Sequence, residues 1–397
     1  MARKSIQMWG RQIQWLTSVF QYFYKNESSS SILLLTCAIA AMILANSSWA
    51  EEYAAGLHSY ISIGIMSMSV LHWINDGLMA LFFFVIGMEI KREFLFGELK
   101  TPSAMLLPVA AAIGGMLVPA LFYTLFNWGR PSVAGWGIPM ATDIAFSLGI
   151  LSIAGKNVPR GVVVFLTALA IVDDLGGILV IALFYSSGIQ IGMLTAGAVV
   201  FVILQLCCRR NISSVIVYIG LGLLLWYAFL QGGIHPTIAG VLLGFSIPAG
   251  SKEGEESLLT RLEHGLTPWS AYLVMPVFAL GNAGITLDAG SVAGLASPIG
   301  LGVICGLFLG KPLGIFGAVY GLYRLGLVSL PPKARLMHFF GAAILGGIGF
   351  TMSLFIASLA FDDAASLMTA KMSIVCASLL SGIAGTLLFI LTRRKKA

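Results

Sequence analysis

Long apolar runs alternate with short polar loops along almost the whole chain, between residues 31 and 391. Each run is close to the ~20 residues that an α-helix needs to cross a bilayer. No polar stretch between two runs is long enough to form a soluble domain. The pattern therefore predicts an all-α polytopic membrane protein with one transmembrane domain, residues 31–391. Its twelve predicted spans are 31–47, 71–90, 104–126, 137–154, 161–185, 190–206, 213–230, 235–248, 270–286, 298–323, 336–360 and 369–391.

The first 30 residues follow a different pattern. Between Ile6 and Phe23, apolar residues recur every three or four positions, and polar or basic residues lie on the opposite side. This spacing is typical of an amphipathic helix that lies on the membrane surface. We predict such a helix over residues 1–30, with a disordered basic tail as the alternative. Residues 392–397 are predicted to form a basic cytoplasmic tail.

The loop between the first two predicted spans alternates apolar and small polar residues over residues 60–70, on either side of Gly64. The alternation fits a two-stranded hairpin, although an irregular loop is equally compatible with it. An isolated hairpin is only marginally stable in water. If it forms, we expect it to pair with another element, such as a second copy of the chain.

Composition and charge narrow the functional classes. The chain is 58% hydrophobic and 10% charged, whereas soluble domains carry about 25% charged residues. Most of the 23 basic residues fall in alternate loops, as expected for cytoplasmic loops with both termini inside. We therefore attribute the net charge of +6 to membrane topology and expect no nucleic-acid partner. The five cysteines lack metal-type spacing, so they are interpreted as small apolar fillers.

Charged side chains interrupt several of the predicted spans. An ionisable group at the bilayer centre costs roughly 2.5–3.5 kcal/mol on insertion scales, so such groups usually mark ion or proton pathways. Any one of them alone could be structural, but together they indicate a hydrated ion path. They are Asp76, Asp143, Asp173, Asp174 and Lys311.

Two of the spans are poor continuous helices. The fourth contains Gly and Pro beside Thr142 and Asp143, and the eleventh is rich in glycine over residues 341–351. Two interrupted spans in corresponding positions indicate the binding site of a transporter. Because these spans are seven apart, they cross the membrane in opposite directions. Spans three to five and ten to twelve could then form an inverted repeat.

A helix broken within the membrane has ends that carry about +0.5 and −0.5 of a charge. Asp143, beside one break, is suited to the positive ends. Lys311 could balance the negative ends, pair with Asp173, or extend to the cytoplasmic interface. Asp173 and Asp174 point about 100° apart on a helix, so they cannot share one symmetric face. Carboxylate oxygens bind small hard cations as well as protons, and this competition is sufficient for exchange.

The sequence resembles the NhaA-type sodium/proton antiporters. The motifs that carry the resemblance are Trp73-Ile74-Asn75-Asp76, Gly87-Met88-Glu89-Ile90-Lys91-Arg92-Glu93, Ala141-Thr142-Asp143-Ile144-Ala145-Phe146, Ala168-Leu169-Ala170-Ile171-Val172-Asp173-Asp174-Leu175-Gly176, His235, Arg261-Leu262-Glu263-His264, Gly310-Lys311-Pro312 and Gly347-Ile348-Gly349-Phe350-Thr351-Met352-Ser353. They occur in this order along the chain. Their combination is far more specific than any single motif.

The resemblance implies about twelve transmembrane helices, two of them broken and crossing in mid-membrane. It implies that Asp173 and Asp174 bind the cation and the proton, with Asp174 the more direct ligand. Thr142 and Asp143 would form the polar centre of the broken fourth helix. Lys311 would balance charge at the crossing and pair with Asp173.

Further residues are expected along the pathway or in the pH response. By resemblance, Asp76 would lie on the periplasmic side of the path, and Glu89, Glu263 and His264 near the cytoplasmic entrance. His235 would influence the pH dependence, although the sequence equally fits a loop residue before Pro236.

The resulting expectation is a secondary transporter of a bacterial inner membrane, not an enzyme, with no cofactor. It would export sodium and lithium in exchange for protons, electrogenically and under pH control. Its partners would be these ions, the lipid bilayer and a second copy bound through residues 60–70. The alternatives are a proton-coupled exporter of another cation and a cation channel. An intramembrane aspartyl protease would need two carboxylates that converge from separate helices, whereas Asp173 and Asp174 are consecutive.

Overall fold

The computed structural model describes residues 27–392, apart from residues 65, 98, 155–157, 187 and 251–256. The predicted surface helix falls mainly on residues 1–26 and the basic tail mainly on residues 393–397, both outside the described residues. Residues 27–30 form the first turn of helix α1. The predicted domain boundaries therefore stay a prediction.

The described chain consists of helices and one β-hairpin. In chain order the elements are α1 (Glu27–Ala45), α2 (Ala50–His58), β1 (Tyr60–Ile63), β2 (Met66–Ser69), α3 (Val70–Leu95), α4 (Pro102–Asn127), a 3₁₀-helix (Pro131–Met140), α5 (Ile144–Ala154), α6 (Arg160–Phe184), α7 (Ile191–Arg209), α8 (Val215–Gly232), α9 (Thr237–Ser246), α10 (258–282), α11 (Ala289–Gly294), α12 (Pro298–Arg324), α13 (Leu336–Gly346), α14 (Phe350–Ala360) and α15 (Ala364–Leu391).

Helices occupy all twelve predicted spans. Among the described residues, seven helices are long and apolar enough to cross a membrane, and the number rises to ten if each of three bent pairs is one span. Helix α9, with 10 residues, is shorter than a full span. The prediction of an all-α polytopic membrane protein is confirmed, and so are its two broken helices.

The loop after α1 is more ordered than the sequence pattern suggests. It begins with α2, a nine-residue helix bent by 113° from α1, which the sequence analysis treated as a loop. Glu51 and Glu52 lie in its first turn and His58 in its last, the arrangement that the helix dipole favours. The predicted hairpin is confirmed: β1 and β2 pair antiparallel, with Tyr60 opposite Ser69 and Gly64 in the left-handed conformation at the turn.

Three long helices contain a π-helical turn. These turns lie at Trp73–Leu78 in α3, Ser270–Val274 in α10 and Gly306–Gly310 in α12. A π-turn inserts an extra residue and rotates everything beyond it relative to an ideal α-helix, and such turns are frequent at functional sites. The turn in α12 ends directly before Lys311.

Helices α4 and α12 are in close backbone contact. A Cβ atom added at Gly114 of α4 would collide with the carbonyl of Gly314 in α12, and the reverse substitution would collide equally. Only glycine at both positions permits this approach. The contact lies one turn from Lys311, which is therefore held inside the bundle rather than at its surface.

Candidate functional site

The two broken helices meet at their breaks. The first break, residues 141–143, separates the 3₁₀-helix from α5 with a bend of 43°; the second, residues 347–349, separates α13 from α14 with a bend of 42°. Pro139 and the glycines around Ile348 disfavour a continuous helix at these points. The N–H of Asp143 donates to the carbonyl of Ile348 at 2.7 Å. We call this meeting point the crossing.

The Asp143 carboxylate accepts hydrogen bonds from the N-terminal ends of α5 and α14, the second helices of the two broken pairs. Its Oδ1 accepts from the N–H of Phe146 at 3.0 Å, in the first turn of α5. Its Oδ2 accepts from the N–H of Thr351 at 3.1 Å and from the Thr351 hydroxyl, in the first turn of α14. One buried carboxylate therefore caps two positive helix ends.

The carboxyl end of the 3₁₀-helix receives a positively charged donor. The ammonium of Lys311 donates to the carbonyl of Met140, and the hydroxyl of Ser353 donates to the carbonyl of Ile138 at 2.8 Å. This is the arrangement that the negative end of a helix favours.

The carboxyl end of α13 receives neutral donors. The hydroxyl of Thr142 donates to the carbonyl of Gly346 at 2.9 Å. The hydroxyl of Ser147 donates to the carbonyl of Leu345 at 2.8 Å. The two carboxyl ends of the crossing therefore differ in the charge that faces them.

Lys311 also contacts the central helix α6. Its Nζ lies 2.6 Å from Oδ2 of Asp173, and both side chains are 1% exposed. Thr142 also interacts with Asp173. Lys311 therefore joins α12, α6 and the 3₁₀-helix, and the structure excludes its extension to the cytoplasmic interface.

Asp174 has different surroundings from Asp173, as their 100° separation on α6 predicts. It is 3% exposed. Oδ1 of Asp173 and Oδ1 of Asp174 are both buried, and neither accepts a hydrogen bond. Such acceptors are costly to leave unpaired, so they favour a cation or a proton as partner. Within the described residues, no group of three or more His, Cys, Asp or Glu side chains is arranged to hold a metal ion.

Asp76 and His235 form a separate pair. Asp76 lies on the π-turn of α3, and its Oδ1 is 3.4 Å from Nε2 of His235. Nδ1 of His235 bonds the hydroxyl of Thr237 at 2.8 Å, and the ring packs edge-on against Phe355 of α14. His235 therefore links the start of α9 to α3 and to one broken helix, which is more than the role of a loop residue.

A third charged group connects α3 to α10. Arg92 lies 3.3 Å from Glu263 and 3.1 Å from Glu93. Burial raises the pKa of Glu263, Arg92 lowers it in part, and Glu93 raises it. Glu89 lies one turn before Arg92 and is half-buried, whereas His264 is exposed. We call Arg92, Glu93 and Glu263 the α3–α10 cluster.

The structure thus distributes the predicted site residues over three places. The crossing combines Thr142, Asp143, Asp173 and Lys311, with Asp174 adjacent on α6. The sequence analysis assigned no role to Ser147, Thr351 or Ser353, which also bond across the crossing. Each has a hydroxyl two to four residues after a predicted break, and Thr351 and Ser353 also belong to one of the resemblance motifs.

Comparison with known proteins places this geometry in context. Residues 21–389 match the family described as Na+/H+ antiporter 1. The chain is 54% identical over 383 residues to Na(+)/H(+) antiporter NhaA 1 of Clostridium beijerinckii, covering 95% of this chain and 96% of that one. It is 49% identical over 350 residues to Na(+)/H(+) antiporter NhaA of Vibrio cholerae serotype O1, covering 88% and 91%. For the protein of that name from Aliivibrio salmonicida, the identity is 47% over 385 residues, covering 96% and 100%.

The matches extend over both broken helices, α6 and α12, so they include every element of the crossing. They confirm the resemblance inferred from the sequence motifs. The chain belongs to the Na+/H+ antiporter 1 family.

Proposed function

We propose that this protein is a sodium/proton antiporter that binds either Na⁺ or protons at Asp173 and Asp174. The observation that carries the proposal is the pair of buried carboxylates on α6, each with one oxygen that accepts no hydrogen bond. Carboxylate oxygens are suitable ligands for a hard cation. Because a carboxylate cannot hold a proton and a cation on the same oxygen, binding of one releases the other.

The two carboxylates have unequal roles in this proposal. Ionised Asp173 is held by Lys311, whereas Asp174 forms no ion pair with any described residue and is the more direct cation ligand. Protonation of Asp173 removes the charge that attracts Lys311. If both carboxylates release a proton for each sodium ion, net charge moves across the membrane and transport is electrogenic. Lithium, a smaller hard cation, is expected to bind at the same oxygens.

We assign the pH response to the two peripheral charged groups. His235 pairs with Asp76 and packs against Phe355 of one broken helix, and the α3–α10 cluster contains Glu263, a buried carboxylate whose pKa is raised by burial. We place the protein in a bacterial inner membrane with both termini in the cytoplasm, where basic loops are favoured.

The exchange is tested in everted vesicles that carry a proton gradient. We expect NaCl and LiCl to dissipate the gradient with a saturable dependence on cation concentration. Asp174→Asn should abolish this response, because an amide oxygen can neither release a proton nor supply negative charge. The matched control is Asp288→Asn, which changes an exposed helix-capping aspartate to another capping residue.

Dissipation by sodium in the Asp174→Asn variant would refute the proposal. Dissipation by choline and other organic cations, but not by sodium, would favour an exporter of another cation. Currents far above an alternating-access rate would favour a channel.

The hairpin is our proposed contact with a second copy of the chain. All four residues of β1 are exposed, including Tyr60, Ile61 and Ile63. Open strand edges pair readily with another strand, and charges on the edge oppose this.

We expect the double variant Ile61→Lys/Ile63→Lys to convert a dimer in mild detergent to a monomer, measured by light scattering. Glu51→Lys on α2 is the charge control, and an unchanged mass for the double variant would exclude the contact.

A further inference from the structure

The crossing contains two serines in equivalent positions. Ser147 lies four residues after Asp143, and its N–H donates to the Asp143 carbonyl at 3.0 Å. Ser353 lies four residues after Gly349, and its N–H donates to the Gly349 carbonyl at 2.9 Å. Each is therefore in the first turn of a second half-helix. Each sends its hydroxyl across to the carboxyl end of the other broken helix. This reciprocity matches the inverted repeat predicted from the sequence.

The two ends that these serines contact are not equivalent in charge. The 3₁₀-helix end receives the Lys311 ammonium in addition to Ser353. At the α13 end, the Leu345 carbonyl accepts from the Ile348 N–H at 3.0 Å and from Ser147. In the described part of the chain, only neutral donors therefore contact the last carbonyls of α13. Because no cation offsets the negative end of this helix dipole, each hydroxyl contributes a larger share of the compensation there.

The α13 end is connected to the ion site through one side chain. The hydroxyl of Thr142 bonds to Gly346, the residue after Leu345, and Thr142 also interacts with Asp173. Ser147 is fully buried at this place, so water does not screen its hydroxyl. Among the described residues, the charged groups around the crossing are Asp143, Asp173, Asp174 and Lys311, and Glu89 of α3 also interacts electrostatically with Asp174.

We propose that Ser147 is a positioning residue of the ion site, whose hydroxyl offsets the negative carboxyl end of α13 and thereby sets the pH range of exchange. It touches no transported ion itself. It acts through the Leu345 and Gly346 carbonyls and Thr142 on the carboxylates of α6. The inference rests on the proposed exchange function, and it concerns a residue outside the predicted site.

The test is the pH profile of sodium-driven proton release in proteoliposomes. Ser147→Ala removes the hydroxyl, so the potential near the carboxylates becomes more negative and bound protons are favoured. We expect the pH of half-maximal activity to rise by about half a unit, with a maximal rate within about twofold of the parent, given the modest net strength of one hydrogen bond.

Four further variants separate this role from simple packing. Ser147→Thr retains a hydroxyl and should leave the profile unchanged, whereas Ser147→Cys, with a weak donor, should give an intermediate shift. Ser353→Ala should shift the profile less than Ser147→Ala, because Lys311 remains at that end. Ser358→Ala is the control, since its hydroxyl bonds within its own helix α14.

Two results would overturn the inference. One is a lower rate or melting temperature for Ser147→Ala without a shift of the profile, which indicates packing alone. The other is an equal shift for Ser147→Thr and Ser147→Ala. If Ser147→Ala does not insert, the Cys and Thr variants still decide the question. Absence of sodium-driven proton release in the parent protein would instead refute the proposed function.

Discussion

Two ion pairs in this protein join similar groups but differ in how far solvent reaches them. Lys311 and Asp173 lie 2.6 Å apart, and each is 1% exposed. Arg92 and Glu263 lie 3.3 Å apart; the Arg92 side chain is 35% exposed, whereas the Glu263 side chain is 6% exposed. The inner pair has the low-dielectric surroundings in which a charge without its partner is very costly. In the outer pair, water and salt reach one partner, Arg92, and weaken the attraction between the two charges.

This difference separates two tasks. The inner pair fixes α12 against α6 and the crossing, so its charges can change only when protons or cations are exchanged there. The outer pair connects α3 to α10 weakly enough for its strength to follow pH and ionic strength. A single chain can thus combine a tightly specified ion site with an adjustable contact at its periphery.

Lys311→Ala should have the largest effect, because it removes one partner of the buried inner pair. Removing one partner of a buried pair costs about 3–5 kcal/mol, because the remaining charge is left uncompensated. We therefore expect a large fall in the melting temperature of the purified protein and loss of sodium-driven proton release.

Two further variants serve as controls for Lys311→Ala. Lys100→Ala, at an exposed lysine, should change neither quantity. Lys311→Ala/Asp173→Asn should recover part of the lost stability, because the unpaired carboxylate is gone. A Lys311→Ala variant with normal transport and an unchanged melting temperature would mean that the inner pair is dispensable.

The outer pair is tested by Glu263→Gln, with a smaller expected effect. Because burial raises the pKa of Glu263 in the folded protein, the folded state binds its proton more tightly than the unfolded state. This contribution to stability is present below the ordinary value of 4.5 and is lost as pH rises through the raised value. As pH rises, the melting temperature of Glu263→Gln should therefore rise relative to that of the parent. We expect a difference in stability of about 0–1 kcal/mol, as for an ion pair with one solvent-exposed partner.

Ionic strength sharpens the contrast between the two variants. Raising salt from about 0.1 M to about 1 M shortens the Debye length from about 10 Å to about 3 Å. The effect of Glu263→Gln should diminish in high salt, whereas that of Lys311→Ala should persist. Two results would contradict the distinction between the pairs. One is a difference in melting temperature between Glu263→Gln and the parent that stays constant with pH; the other is an effect of Lys311→Ala that depends on salt.

Features with a local cause could be predicted from the sequence. The two breaks follow from Pro139 and from the glycines around Ile348, which act on the backbone at their own positions. The helical class follows from apolar runs of bilayer length. The 60–70 hairpin was one of two open interpretations, since alternation over so few residues specifies a strand only weakly.

Features that depend on long-range contacts could not be predicted in detail. The sequence left three roles open for Lys311, and the structure combines two of them, with Asp173 138 residues and Met140 171 residues away. The π-turn before Lys311 changes the direction of the side chain, and residue periodicity does not reveal such a turn. The role of Ser147 was missed for a similar reason, because its acceptor lies 198 residues away.

The hydrogen bonds of Asp143 have a consequence for biosynthesis. Asp143 is synthesised early, but Thr351, which donates to its carboxylate, follows 208 residues later, a delay of about 10–40 s at usual rates of translation. During this interval the first break has none of its partners from α13 and α14, and lipid offers no hydrogen bonds to replace them. The N-terminal half therefore needs shelter beside the insertion machinery or other helices until the ribosome has completed the second broken helix.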